Sequence, residues 1–81
     1  MSYMEHLPLR RSSVAAEIRA ECARLNISVP KLSEGARIEY ATLRRRLNGN
    51  KPFTIDELDQ ISHYLELPLA VLIERAEAHG A

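Results

Sequence analysis

The sequence predicts an all-α fold, a compact five-helix domain, on three observations. Apolar residues recur at helical spacing along nearly the whole chain, and no stretch alternates as a half-buried strand would. Helix-start signals, one of them a complete capping box, follow each other closely enough to leave only tight turns between helices. The length of 81 residues with 46% hydrophobic content suits a single small core.

Residues 1–12 are read as a flexible N-terminal arm, and residues 13–79 as one domain. The first helix is expected over about 13–25, with Ser13 as N-cap and Val14, Ile18, Cys22 and Leu25 on one buried stripe. The second starts at Ser28, where Ile27 and Leu32 are spaced for a hydrophobic staple and Pro30 is tolerated in the first turn. Gly35 and Arg37 mark its stop near residue 36. The third spans 40–47, with Ile38 and Leu43 again at staple spacing and Gly49 as the left-handed residue beyond its end. The turn between these two helices has the length of a helix-turn-helix connection. The fourth helix has the clearest start: Thr54 and Glu57 form a capping box, Phe53 and Leu58 a staple, and Asp56 suits the positive end of the helix dipole. The fifth begins at Pro68, a favoured first helical residue, and lines one face with Leu69, Leu72, Ile73 and Ala76.

Charge is divided unevenly along a chain of zero formal net charge. Residues 10–51 carry ten Lys/Arg against four Asp/Glu, a net +6; residues 52–81 carry Arg75 alone against six acids, a net −5. A polyanion partner for the first part follows naturally, although an unevenly charged solvated surface would have the same composition. The third helix, YATLRRRL, sharpens the choice. At about 100° per residue, Leu43 and Leu47 define a core face, Arg45 points directly away from it, and Arg44 and Arg46 lie about 80° to either side of its centre. Ala41 and Thr42 project outward with Arg45, while Tyr40 lies about 40° from the core centre and is divided between packing and contact. Two leucines that anchor a helix while three arginines project from it suit a helix in a DNA major groove, one arginine on base edges and two on the phosphate walls.

The segment IEYATLRRRLNGNKPFTIDELDQISHYLELPLAVLIE resembles the helix-turn-helix of the Cro and phage-repressor (XRE-type) superfamily, and the resemblance extends over residues 13–77. It is carried by the order and spacing of Ile38-Glu39, Thr42-Leu43, Asn48-Gly49-Asn50-Lys51, Thr54–Leu58 and Leu65–Leu69. The resemblance implies a lambda-repressor-like helix-turn-helix domain. It implies base-reading positions at Tyr40, Ala41, Arg44 and Arg45. Phosphate contacts are implied around the start of the second helix (Ser28, Val29, Lys31) and after the third (Asn48, Lys51), to which the wheel position of Arg46 adds a further one. The chain departs from the family pattern at Arg37, where glycine is usual, at Ser33, where alanine is usual, and at Val29, where glutamine is common. These departures bear on the angle between the second and third helices.

The function expected from this resemblance is a sequence-specific DNA-binding transcriptional regulator, bacterial or phage-encoded, acting as a repressor or Cro-like switch. Its partner is double-stranded DNA carrying a palindromic operator, bound by a homodimer whose candidate surface is Val71 with Leu72. The alternative is an antitoxin or other protein-binding module that keeps the fold and uses its acidic last two helices. Arg10 and Arg11 read either as a minor-groove arm or as an ordinary tail.

No enzyme is expected. Cys22 sits on an apolar stripe, His6, His63 and His79 have no metal-ligand spacing, and the carboxylates Asp56 and Glu57 are explained by the start of the fourth helix. No cofactor, metal, small-molecule substrate or membrane partner is expected, and a single cysteine with no secretory leader suggests a cytoplasmic setting.

Overall fold

The computed structural model describes residues 11–80, with side chains over 13–78. Five helices follow one another: α1 (Arg11–Leu25), α2 (Val29–Ala36), α3 (Tyr40–Leu47), α4 (Ile55–Leu65) and α5 (Leu69–Gly80). No strand occurs among the described residues. α1 packs mainly on α5 and also on α3, while α2 is held between α3 and α4. Ile18, Leu32, Leu43, Ile61 and Leu72, one from each helix, are almost wholly buried and form the centre of the core. Val14, Leu47, Leu58, Leu65 and Ala76 complete it, and Phe53 and Leu69 pack against it half-buried.

Four helix ends share one device. After α1, α2, α3 and α4 the chain turns through a left-handed residue: Asn26 (φ 61°), Arg37 (φ 61°), Gly49 (φ 79°) and Glu66 (φ 55°). In each case the next amide closes back on the carbonyl five residues earlier: Ile27 on Cys22, Ile38 on Ser33, Asn50 on Arg45 and Leu67 on Ser62. This is the Schellman pattern, and at three of the ends the following residue is aliphatic and tucks into or against the core. A non-glycine left-handed residue costs roughly 1–2 kcal/mol, so those three turns depend on the aliphatic plug and on their hydrogen bonds.

The turn between α2 and α3 has the strongest support. Ser33 Oγ donates to the Ile38 carbonyl at 2.6 Å, and Gln60 of α4 donates through Nε2 to the carbonyls of Ala36 (2.8 Å) and Arg37 (3.3 Å). Arg37 and Ser33, both departures from the family pattern, therefore belong to one arrangement, in which the serine hydroxyl secures a turn without glycine.

Several expectations need correction. α1 already includes Arg11, two residues ahead of Ser13, which is buried inside the helix and does not cap it. Leu25 is 47% exposed although it lies on the stripe of Ile18 and Cys22. Its helix ends there, and Ile27 beyond the Asn26 turn packs against the core instead. Gly35 is helical and does not end α2; a Cβ there would lie 2.2 Å from the Tyr64 ring, so the absence of a side chain lets α4 close on α2. Pro68 stands just ahead of α5, and its carbonyl accepts from the amides of Val71 and Leu72. Leu72 is 1% exposed, a core residue that cannot serve as a dimer surface. Residues 1–10, with the expected arm and Arg10, lie outside the described residues.

α5 is fastened to α1 by charge as well as by apolar packing. Glu17 and Glu21 of α1 are buried, and Arg75 of α5 reaches Glu21 at 3.0 Å and Glu17 at 3.9 Å. Arg24 closes the cluster from α1, pairing with Glu21 and with Glu17. Removing one member of such a cluster would leave a buried carboxylate poorly compensated, so Arg75 has a structural task.

Candidate nucleic-acid interface

α3 is built as an anchored rod. Leu43 and Leu47 are buried on one side, and Asn48, Gly49 and Asn50 close the C-terminal end. From the neighbouring helix, Arg19 Nη1 donates to the Leu47 carbonyl, a cation at the negative end of the α3 dipole. At the other end Glu39 is the N-cap by backbone conformation, yet its side chain makes no capping hydrogen bond.

The outward face of α3 carries Tyr40, Ala41, Arg44 and Arg45, all exposed. Tyr40 is 44% exposed and so is not packed into the core. Arg44 Nη1 donates to the Tyr40 hydroxyl at 3.1 Å, and its guanidinium lies 5.9 Å from the centre of that ring. Arg45 Nη2 donates to Thr42 Oγ1 at 3.3 Å. Both arginines are therefore held by neutral hydroxyls.

Arg46 differs. Its Nε and Nη2 donate to the two carboxylate oxygens of Glu57 at 2.9 and 3.2 Å, a bidentate pair in which both side chains are largely covered. The helical wheel makes Arg44 and Arg46 mirror images, but α4 starts beside only one of them. Glu57 is also the capping-box residue of α4: it accepts from the Thr54 amide at 2.9 Å while Thr54 Oγ1 accepts from the Glu57 amide at 3.0 Å. Partial burial pushes the Glu57 carboxyl upward, but the Arg46 hydrogen bonds and charge and the Thr54 bonds outweigh it and hold the group below the ordinary carboxylate value. The same pair raises the Arg46 pKa. Arg46 thus ties α3 to the start of α4.

The remaining expected contacts flank the α3 face. Ser28 is the N-cap of α2, its hydroxyl accepting from the Lys31 amide at 3.3 Å, and Lys31 is exposed in the first turn. Asn48 and Lys51 are exposed in the segment after α3. Val29 is half-buried against the core. Sequence reasoning missed the supporting contacts of Arg19, Gln60 and Glu39. Only Glu39 had a local signal, three residues ahead of Thr42; the others act across 23 residues or more.

Among the described residues no group of three or more His, Cys, Asp or Glu is placed to hold a metal ion, and no helix is long and apolar enough to cross a membrane. Cys22 is buried, and its thiol is raised above its ordinary value by burial and by the neighbouring Glu21 charge.

A tight, braced turn between two short helices, the second with an open cationic face, defines a helix-turn-helix DNA-binding domain. The chain belongs to the Cro/C1-type HTH DNA-binding domain family, whose model matches residues 17–77. The reading as a DNA-binding regulator stands on that membership. Two solved structures of the clp gene regulator ClgR from Corynebacterium glutamicum have a similar fold. One is 24% identical at a TM-score of 0.82, over 91% of this chain and 96% of that one. The other is 23% identical at a TM-score of 0.82, over 90% and 78%. No curated protein matches the chain.

Proposed function

We propose that the protein is a sequence-specific transcriptional regulator that lays α3 in the DNA major groove. Tyr40, Ala41, Arg44 and Arg45 face base edges, while Ser28, Lys31, Asn48 and Lys51 meet phosphates on either side. The observation that carries this reading is the difference among the three arginines. Arg44 rests on the neutral Tyr40 hydroxyl and Arg45 on the neutral Thr42 hydroxyl, each with further N–H groups to offer DNA acceptors, whereas Arg46 gives two of its donors to Glu57. Arg45, opposite the anchoring leucines, is the residue best aimed for a bidentate contact with guanine. The protein acts as a repressor by occupying a palindromic operator as a homodimer. Half-sites then lie about one helical turn, 34 Å, apart. Val71 remains the candidate pairing residue, being half-buried on α5.

Selection of bound sites from random duplex DNA tests this proposal. One enriched, two-fold symmetric motif containing guanine in each half is the expected result. Retention of DNA with no enriched motif would contradict sequence reading.

A second reading has one observation in its favour. Asp56, Asp59, Glu66, Glu74 and Glu77 are exposed on α4, α5 and the turn between them, an acidic surface suited to a basic protein partner such as a toxin. Capture of one basic partner at stoichiometric yield, with no enriched DNA motif, would favour it.

A further inference from the structure

We propose that Glu39 and Thr42 are positioning residues that hold Arg45 in its base-reading orientation, an inference that rests on the major-groove reading of α3. The three side chains form a directed chain across the first turns of the helix. Thr42 Oγ1 donates to Glu39 Oε1 at 2.9 Å, and Arg45 Nη2 donates to Thr42 Oγ1 at 3.3 Å. A threonine hydroxyl has one proton. With that proton given to the carboxylate, the oxygen faces Arg45 with a lone pair and acts only as an acceptor. Arg45 spends one N–H on it and keeps the rest of its planar fork for the O6 and N7 acceptors of guanine.

Two features set this arrangement apart from ordinary helix support. Glu39 occupies the N-cap position of α3, yet its side chain makes no capping bond and binds the Thr42 hydroxyl instead. The carboxylate is also exposed at the start of the helix that carries Arg44 and Arg45, where a negative charge lowers attraction to phosphate. It favours discrimination over general affinity: indiscriminate backbone binding weakens, and the arginine that reads sequence loses less rotamer freedom on docking.

The test is a set of variants measured by fluorescence anisotropy on the selected operator, on operators changed at the base pair Arg45 reads, and on random duplex. Arg45→Ala first identifies that base pair by the discrimination it loses. Glu39→Ala and Thr42→Val are expected to lose roughly three- to tenfold of discrimination at the same base pair, the worth of one hydrogen bond. Glu39→Ala should also bind random duplex more tightly. Glu39→Gln and Thr42→Ser, which keep the acceptor and the hydroxyl, should retain discrimination, and thermal melting of each variant shows that it is folded. In an Arg45→Ala background, Thr42→Val should have no further effect. Full discrimination in Thr42→Val, or losses that add in the double variant, would overturn the positioning role while leaving the groove reading intact. Unchanged discrimination in Arg45→Ala would overturn the groove reading and this inference with it.

Discussion

At the scale of single residues, three consecutive arginines on one helix have different tasks, and their neighbours assign them. Arg46 is taken by Glu57, which is already fixed by Thr54. This separates two outcomes that the sequence treats alike. Lys51→Ala should reduce the slope of log affinity against log salt by about one counterion. Arg46→Ala should leave that slope unchanged; an equal reduction in both would return Arg46 to the phosphates. Arg46→Ala should also raise the Glu57 titration, followed by carboxyl NMR, toward the ordinary value of 4.5. In the native protein the folded Glu57 pKa lies below that value. Its contribution to stability is therefore complete above pH 4.5 and lost as pH falls through the lowered folded value. A melting curve of Arg46→Ala with the same acid dependence as wild type would contradict this linkage. The wheel correctly oriented all three arginines relative to the core. It could not reveal which flank α4 covers, because that depends on a contact 11 residues away in sequence.

At the scale of elements, legibility followed the range of the signal. The capping box of α4 was readable because Thr54 and Glu57 are three residues apart, and its removal has a predictable cost: Thr54→Ala should destabilise the fold by about 0.5–2 kcal/mol in denaturant titration. The bounds of α3 and the left-handed Gly49 were equally local. The end of α2 near residue 36 is legible in Gly35 and Arg37, but the reason for a glycine at 35 lies in α4. Glycine suggests a helix end, but here it leaves room for the Tyr64 ring. Gly35→Ala improves helix propensity by up to about 1 kcal/mol and yet should destabilise the protein, since overpacking costs typically 1–3 kcal/mol. A higher melting temperature for Gly35→Ala would show that Tyr64 moves aside freely. Leu25 and Leu72 illustrate the same limit: periodicity defines a stripe, but the ends and packing of neighbouring helices decide which of its members are covered.

At the scale of the whole molecule, charge is divided by task. In the basic part, Arg19 and Arg46 brace the ends and flanks of α3, Arg24 sits with Arg75 on the buried Glu17–Glu21 pair, and Arg44, Arg45, Lys31 and Lys51 remain exposed around the α2–α3 face. A domain of this size reads few base pairs, which is why pairing on a palindrome belongs to the proposed mode of action. Sedimentation with and without operator, comparing wild type with Val71→Glu, should give two chains per operator for the first and one for the second. One chain per operator in wild type would contradict pairing, and two in Val71→Glu would exclude this surface. The central claim, that the open face of α3 reads sequence, is tested most directly by the affinity of Arg45→Ala for the selected operator and for random duplex at one salt concentration. The account predicts a loss of about 1–3 kcal/mol on the operator and a much smaller loss on random DNA. Equal losses on both would contradict it, reducing Arg45 to a phosphate contact.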